Sequence, residues 1–190
     1  TLPSDSAPVA LTAGDFTGDG LIDLLVATQG DNKLTLLRNL GNGQFSASTT
    51  FVLSGAPTSV TAGKIDSDTD LDLIVTFGDT DSASVLLNDG TGTFTSSATL
   101  TTGDDPRAAA LADFDRDGDL DLVIANRGSD SLTFFANTTG TFTAGATINS
   151  GGHNPQSLAV ADFDLDGDAD IIVANNGTSA SSSLALHLNK

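Results

Sequence analysis

The chain has 190 residues and a formal charge of −18, because 25 acidic residues, every one of them Asp, face only 7 Lys plus Arg. Such a balance argues against nucleic acid as a partner. No stretch approaches the about 20 apolar residues of a membrane span, and the absence of Cys excludes thiolate metal sites, a Cys nucleophile and disulfides.

The N-terminus carries neither a start Met nor a secretory signal, and Pro8 stands where Pro57 and Pro106 stand later, so Thr1 to Ala7 read as the tail of a preceding repeat. The chain is therefore expected to be a processed product or an excised piece. A small-residue strand follows at Val9–Gly14, with counterparts at Thr58–Gly63, Arg107–Ala112 and Gln156–Ala161. Ala, Gly and Thr suit strands crowded around an axis.

Next comes an acidic loop. Its clearest copy is Asp113-Phe-Asp115-Arg-Asp117-Gly118-Asp119-Leu-Asp121, repeated at Asp162-Phe-Asp164-Leu-Asp166-Gly167-Asp168-Ala-Asp170. A softer copy is Asp15-Phe-Thr17-Gly-Asp19-Gly20-Leu21-Ile-Asp23, and Lys64-Ile-Asp66-Ser-Asp68-Thr69-Asp-Leu-Asp72 departs further. First positions at 15, 64, 113 and 162 give a constant period of 49, so the repeat is the unit to reason about. Carboxylates at positions one, three, five and nine, with a turn Gly at six, can converge on a hard cation such as Ca²⁺.

Each loop feeds an apolar run, Leu24–Ala27, Leu73–Val75, Leu122–Ala125 or Ile171–Ala174, which reads as a strand covered on both faces. A third strand follows at Leu34–Leu37, Ala83–Leu86, Leu132–Phe135 and Leu184–His187. Hairpins Asn39–Phe45, Asn88–Phe94 and Asn137–Phe142, made by Gly at positive φ, lead into a Ser/Thr-rich outer strand that faces water. The pattern predicts an all-β chain of four-stranded antiparallel blades, a β-propeller, with blades at about 3–53, 54–102, 103–151 and 152–190. A β-solenoid would use shorter coils, and an EF-hand would need a Glu where Val26, Val75, Ile124 and Val173 stand.

These motifs, together with Gly55-Ala56-Pro57, resemble the FG-GAP and VCBS-type repeats of integrin α-subunits and secreted bacterial proteins. The resemblance covers all four repeats. It implies a propeller, commonly seven-bladed, with Ca²⁺ in the loops between first and second strands, and with position seven (Leu21, Asp119, Asp168) giving its backbone carbonyl. Calcium is expected in loops one, three and four. Lys64 is expected to put its ammonium among Asp66, Asp68 and Asp72 and to keep loop two metal-free, an effect reinforced by Thr69, which tolerates positive φ poorly. The rings of Phe16, Phe114 and Phe163 are expected in the core.

Catalysis finds little support, since neither His153 nor His187 has spacing suited to a zinc site or a relay. The reading is a non-enzymatic, extracellular calcium-binding module for adhesion or for a protein or glycan ligand. The alternatives are a scaffold or carbohydrate-binding module of a larger secreted enzyme and a self-assembling structural protein. The last repeat stops at Asn189-Lys190, which predicts a three-stranded sheet with an open edge, and His187 in place of Leu37, Leu86 and Phe135 suggests that this blade faces something other than an ordinary next blade. Asn137-Thr-Thr139 and Asn176-Gly-Thr178 fit the glycosylation pattern.

Overall fold

The computed structural model describes residues 7–177 and 182–190. Its strands fall into four antiparallel sheets in tandem. Blade one comprises β1 (Pro8–Gly14), β2 (Asp23–Thr28), β3 (Lys33–Asn39) and β4 (Phe45–Val52). Blade two comprises β5 (Pro57–Gly63), β6 (Asp72–Phe77), β7 (Ser82–Asn88) and β8 (Phe94–Thr101). Blade three comprises β9 (Pro106–Ala112), β10 (Asp121–Asn126), β11 (Ser131–Thr138) and β12 (Thr141–Asn149). Blade four comprises β13 (Pro155–Ala161), β14 (Asp170–Asn175) and β15 (Ser183–His187). Neighbouring strands pair in sequence order within each sheet. The first strands β1, β5, β9 and β13 lie side by side in that order, which sets the sheets fan-like about one edge. This is the open arc of a β-propeller, as the period and strand pattern predict.

Turn chemistry holds the register. The residue closing each β2–β3-type turn, Asn32, Asp81 or Asp130, sits at φ of 52°, 49° and 52°, a left-handed conformation that short polar side chains tolerate best. The Asp81 carboxylate accepts the Asp105 amide at 2.8 Å and Asp130 accepts that of Asn154 at 2.7 Å, so the turn of one blade anchors the linker into the next.

The apolar run of the second strand serves two junctions at once. In blade two, Leu73, Val75 and Phe77 pack toward blade one while Ile74 packs toward blade three. In blade three, Leu122 and Ile124 face blade two while Val123 and Ala125 face blade four. The third strand divides likewise, with Leu86 turned back and Ala83 and Val85 forward. Burying each Leu, Ile, Val or Phe contributes about 1.5–3 kcal/mol before entropy is counted. The outer strand β12 is exposed along nearly its whole length, as a Ser/Thr-rich edge should be.

Three expectations meet different outcomes. The sheet of blade four has three strands, as the sequence suggests. His187 does not mark an unusual next blade: it faces backward, with Nε2 at 3.2 Å from the Ser150 carbonyl, because the register pairs it with Ile171, which packs toward blade three. The second-position Phe rings are core only where the outer strand of a following blade covers them. Phe16 is buried beneath Phe94 of blade two, centroids 6.0 Å apart. Phe114 is half-buried, and Phe163 is exposed.

Candidate metal centre

The four acidic loops lie at the ends of the first strands, on one rim of the arc. In loops three and four, carboxylate oxygens of positions one, three and nine come within 4.8 Å of one another: Asp113, Asp115 and Asp121, then Asp162, Asp164 and Asp170. The backbone brings them together. Positions four and six are left-handed in both loops, at Arg116 (φ 66°) and Gly118 (98°) and at Leu165 (64°) and Gly167 (93°). That conformation turns the amides of positions five and six inward onto the first Asp: Asp113 accepts from Asp117 and Gly118, both at 3.1 Å, and Asp162 accepts from Asp166 and Gly167 at 3.2 and 3.0 Å.

The ninth Asp has a second task. The Asp121 carboxylate is buried, and its oxygens accept the Phe114 amide at 3.0 Å and the Asn137 amide at 2.8 Å, tying the loop to the end of the third strand. Asp72 and Asp170 do the same with Ile65 and Asn88, and with Phe163 and Asn189, while Asp23 accepts from Asn39. Position five stands outside the cluster: Asp117 and Asp166 each accept the amide two residues on. The position-seven side chain is engaged elsewhere, and the ligand expected of that position is its backbone carbonyl. Asp119 accepts the Thr139 amide at 3.0 Å, and Asp168 pairs with Arg116, whose guanidinium also donates to the Asp166 carbonyl and so links loops three and four.

Loop one keeps the frame with a neutral oxygen. Asp15 accepts the Asp19 and Gly20 amides at 3.2 and 2.8 Å, and Thr17 Oγ1 donates to Asp23 at 3.1 Å. Asp19 is drawn aside to Arg38 at 3.4 Å.

Loop two corrects an expectation. Among the described residues Lys64 is exposed and forms no ion pair with Asp66, Asp68 or Asp72. Those carboxylates nonetheless converge within 4.8 Å, so positions three, five and nine gather instead of one, three and nine. Neither Ser67 nor Thr69 is left-handed, and the loop takes its shape from Asx turns in which Asp66 accepts the Asp68 amide and Asp68 that of Asp70, both at 2.9 Å.

The electrostatics of these clusters run uphill. Loss of hydration, with repulsion from Asp66 and Asp68, raises the Asp72 carboxyl above the usual range against the pull of the Asn88 and Ile65 amides. Asp115 and Asp164 are raised by the same two causes, first lost hydration and then their neighbouring carboxylates. Asp15 goes the other way, lowered by the amides of Gly20, Gly18, Asp19 and Thr17 that outweigh its desolvation. All the donors are hard oxygens and the sites are over-supplied with negative charge, which fits a divalent cation such as Ca²⁺.

One set of residues escaped the sequence reading. Asn88 Nδ2 donates to the Phe16 carbonyl of the preceding blade at 3.0 Å and to Leu71 in its own loop at 3.2 Å. Asn137 likewise reaches Ile65 and Leu120, and Asn189 reaches Phe114 at 2.7 Å. These side chains staple blade to blade through the metal loops. The signal is the recurrence of Asn39, Asn88, Asn137 and Asn189 at or just past the end of the third strand. Asn137 is buried with its amide nitrogen committed twice, so the folded chain cannot carry a glycan there. Thr178, which completes the other sequon, lies outside the described residues.

On the opposite rim, Val9, Thr58, Arg107 and Gln156, one from each first strand, line a polar opening of about 340 Å³ with Gln29 and Pro57. Arg107 pairs there with Asp105 at 2.9 Å.

A model of the FG-GAP-like repeat matches the sequence at residues 15–75, 64–124 and 113–173. The chain belongs to the FG-GAP-like repeat family. No curated protein matches it. Among solved structures it resembles BBS1N in its complex with ARL6DN, at 16% identity and a TM-score of 0.63 over 98% of this chain and 58% of that one. A functionally unknown protein from Desulfotomaculum acetoxidans gives 14% identity and 0.69 over 100% and 63%. Virginiamycin B lyase from Staphylococcus aureus gives 13% and 0.59 over 96% and 56%. This FG-GAP-like chain thus spans somewhat over half the length of each of these three. One of them is an enzyme by name and another is described by its protein complex, so the fold by itself decides neither role.

Proposed function

We propose that this FG-GAP-like arc is a calcium-stabilised, non-enzymatic binding module that works outside the cell, in adhesion or in holding a protein or glycan ligand. The observation that carries the reading is the clustering of position-one, -three and -nine carboxylates in loops three and four, where raised carboxyl groups await a counter-charge. Calcium occupies loops one, three and four, held by Asp15, Thr17 and Asp23; by Asp113, Asp115 and Asp121; and by Asp162, Asp164 and Asp170. Bound calcium supplies neutralisation and rigidity to the rim. Loop two stays empty at concentrations that fill the others, because it has no position-one acid and none of the left-handed turns.

Millimolar extracellular calcium suits such shallow, exposed sites, and among the described residues no helix is long and apolar enough to cross a membrane. Against catalysis, the clustered Asp residues would be held ionised by the ion, which disqualifies a general acid. His153 is committed to Asp130 at 2.6 Å. The polar opening around Thr58, Arg107 and Gln156 is the place for a ligand. Calorimetric titration of metal-stripped protein tests the reading: three calcium ions per chain and a rise in melting temperature support it, whereas no heat and an unchanged melt would sink it.

A further inference from the structure

On the rim away from the acidic loops, the second residue of each first strand is Val9, Thr58, Arg107 or Gln156. Only blade three puts a charge there, and the residue that follows its second strand, Arg127, adds another where the other blades have Gln29, Gly78 and Asn176. Both guanidinium groups meet on one carboxylate, that of Asp105, and Arg127 takes the better share. Its Nε donates to Asp105 Oδ2 at 2.6 Å, and its Nη2 pairs with the same oxygen. Arg107 keeps a long bond of 3.4 Å from Nη2 to that oxygen, while its buried Nε, though 2.9 Å from Oδ1, has no aligned acceptor. A guanidinium carries five N–H donors and cannot shed its charge, so an unmet donor in the wall of an opening points to an acceptor from outside. Blade three has a neighbour on either side in this chain, so further blades beyond the arc would leave it flanked as it is.

We propose that the opening beside Arg107 binds a carboxylated sugar, a uronic acid unit of an acidic glycan, with the guanidinium gripping its carboxylate. The inference rests on the reading that this opening is the ligand site, and it names the class of ligand. Two guanidinium groups and one carboxylate leave a surplus of one positive charge, which matches one further carboxylate. A dianionic phosphate would bring a second charge that a chain of formal charge −18 repels. Guanidinium and carboxylate are both planar and meet in two parallel hydrogen bonds. The rest of the polar wall is neutral: Gln29 and Gln156 each offer an amide donor and an acceptor suited to ring hydroxyls, whereas the Thr58 hydroxyl is taken up by the Pro106 carbonyl at 2.6 Å. A volume of about 340 Å³ has room for one sugar unit. Arg127 acts through Asp105, holding that carboxylate away from Arg107.

Calorimetric titration of the chain in calcium with glucuronate, glucose and acetate tests this, since glucose lacks the charge and acetate lacks the sugar. Glucuronate should bind one to one and at least about tenfold more tightly than either, the scale of one charge-assisted hydrogen bond. Arg107→Gln should abolish the advantage over glucose with an unchanged circular dichroism spectrum. Two variants that keep Arg107 test the part played by Asp105. Arg127→Gln frees Asp105 to neutralise Arg107 and should weaken glucuronate binding, whereas Asp105→Asn, a residue that tolerates the left-handed backbone there (φ 52°), should strengthen it. Equal affinity for glucuronate and either control, full binding by Arg107→Gln, weaker binding by Asp105→Asn, or no binding of any probe overturns the inference. Calcium uptake without glucuronate binding overturns this inference alone, and absence of calcium uptake overturns the calcium-stabilised module whatever the sugars do.

Discussion

Loops two and three carry Asp at positions three, five, seven and nine alike and lie in register one blade apart, yet they reach their acidic clusters by different backbones. Loop three turns left-handed at Arg116 and Gly118 and folds its amides onto Asp113. Loop two has Lys64, Ser67 and Thr69 at the corresponding places, bonds nothing to position one, and lets Asp68 swing into the cluster. The comparison separates two roles. Convergence of carboxylates needs only the ninth Asp, bolted by amides in both loops; a pre-formed cage around position one needs the left-handed turns as well.

The largest expected effect breaks the bolt. Asp121→Ala strands one buried and one partly buried amide at about 1–3 kcal/mol each and removes a calcium ligand, so a loss on the order of 3 kcal/mol, about 6–12 °C in melting temperature, is expected in calcium. Asp72→Ala strands the corresponding amides but relieves repulsion from Asp66 and Asp68, and should lose less. Equal losses in the two variants would remove the distinction between the loops.

Calcium itself comes next. At about 100 times its dissociation constant an ion adds about 2.7 kcal/mol per independent site. Asp115→Asn should abolish the gain from loop three while slightly stabilising the chelated protein, and Asp66→Asn in loop two should leave the calcium gain unaltered. Melting curves with and without chelator check both, and a calcium gain that depends on Asp66 would contradict the assignment.

Lys64→Asp with Thr69→Gly sharpens the comparison from the other side. The pair restores a first carboxylate and a residue free to turn left-handed, so calorimetry should count one more calcium per chain than in the unmodified protein. The same count would mean that position four, Ser67, decides the cage.

The smallest effect is on pH. Asp115 has a folded pKa above its unfolded value, so the metal-free folded chain binds more protons through that window and its stability falls as pH rises across it. Asp115→Asn removes that slope and leaves the opposite contribution of Asp15, lowered by amides, intact. Metal-free melts from acid to neutral pH should diverge, the variant gaining on the unmodified protein as pH rises; parallel curves would show that Asp115 titrates normally.

Sequence by itself determined the architecture and the place of the rim. A period of 49, apolar second strands, Gly-bearing hairpins and Asp at fixed offsets are local patterns, and local patterns set strands, turns and the inward face of a loop. The blade count and strand order follow from them directly. Tertiary structure decided three things. It placed Lys64 in solvent, because a long flexible side chain chooses among environments that no spacing encodes. It turned His187 toward blade three, because which face a strand residue takes depends on register with Ile171 and not on its identity. It gave the recurring Asn a span of about 72 residues, from Asn88 to Phe16 and from Asn137 to Ile65, since a bond between blades exists only once two sheets have been packed together.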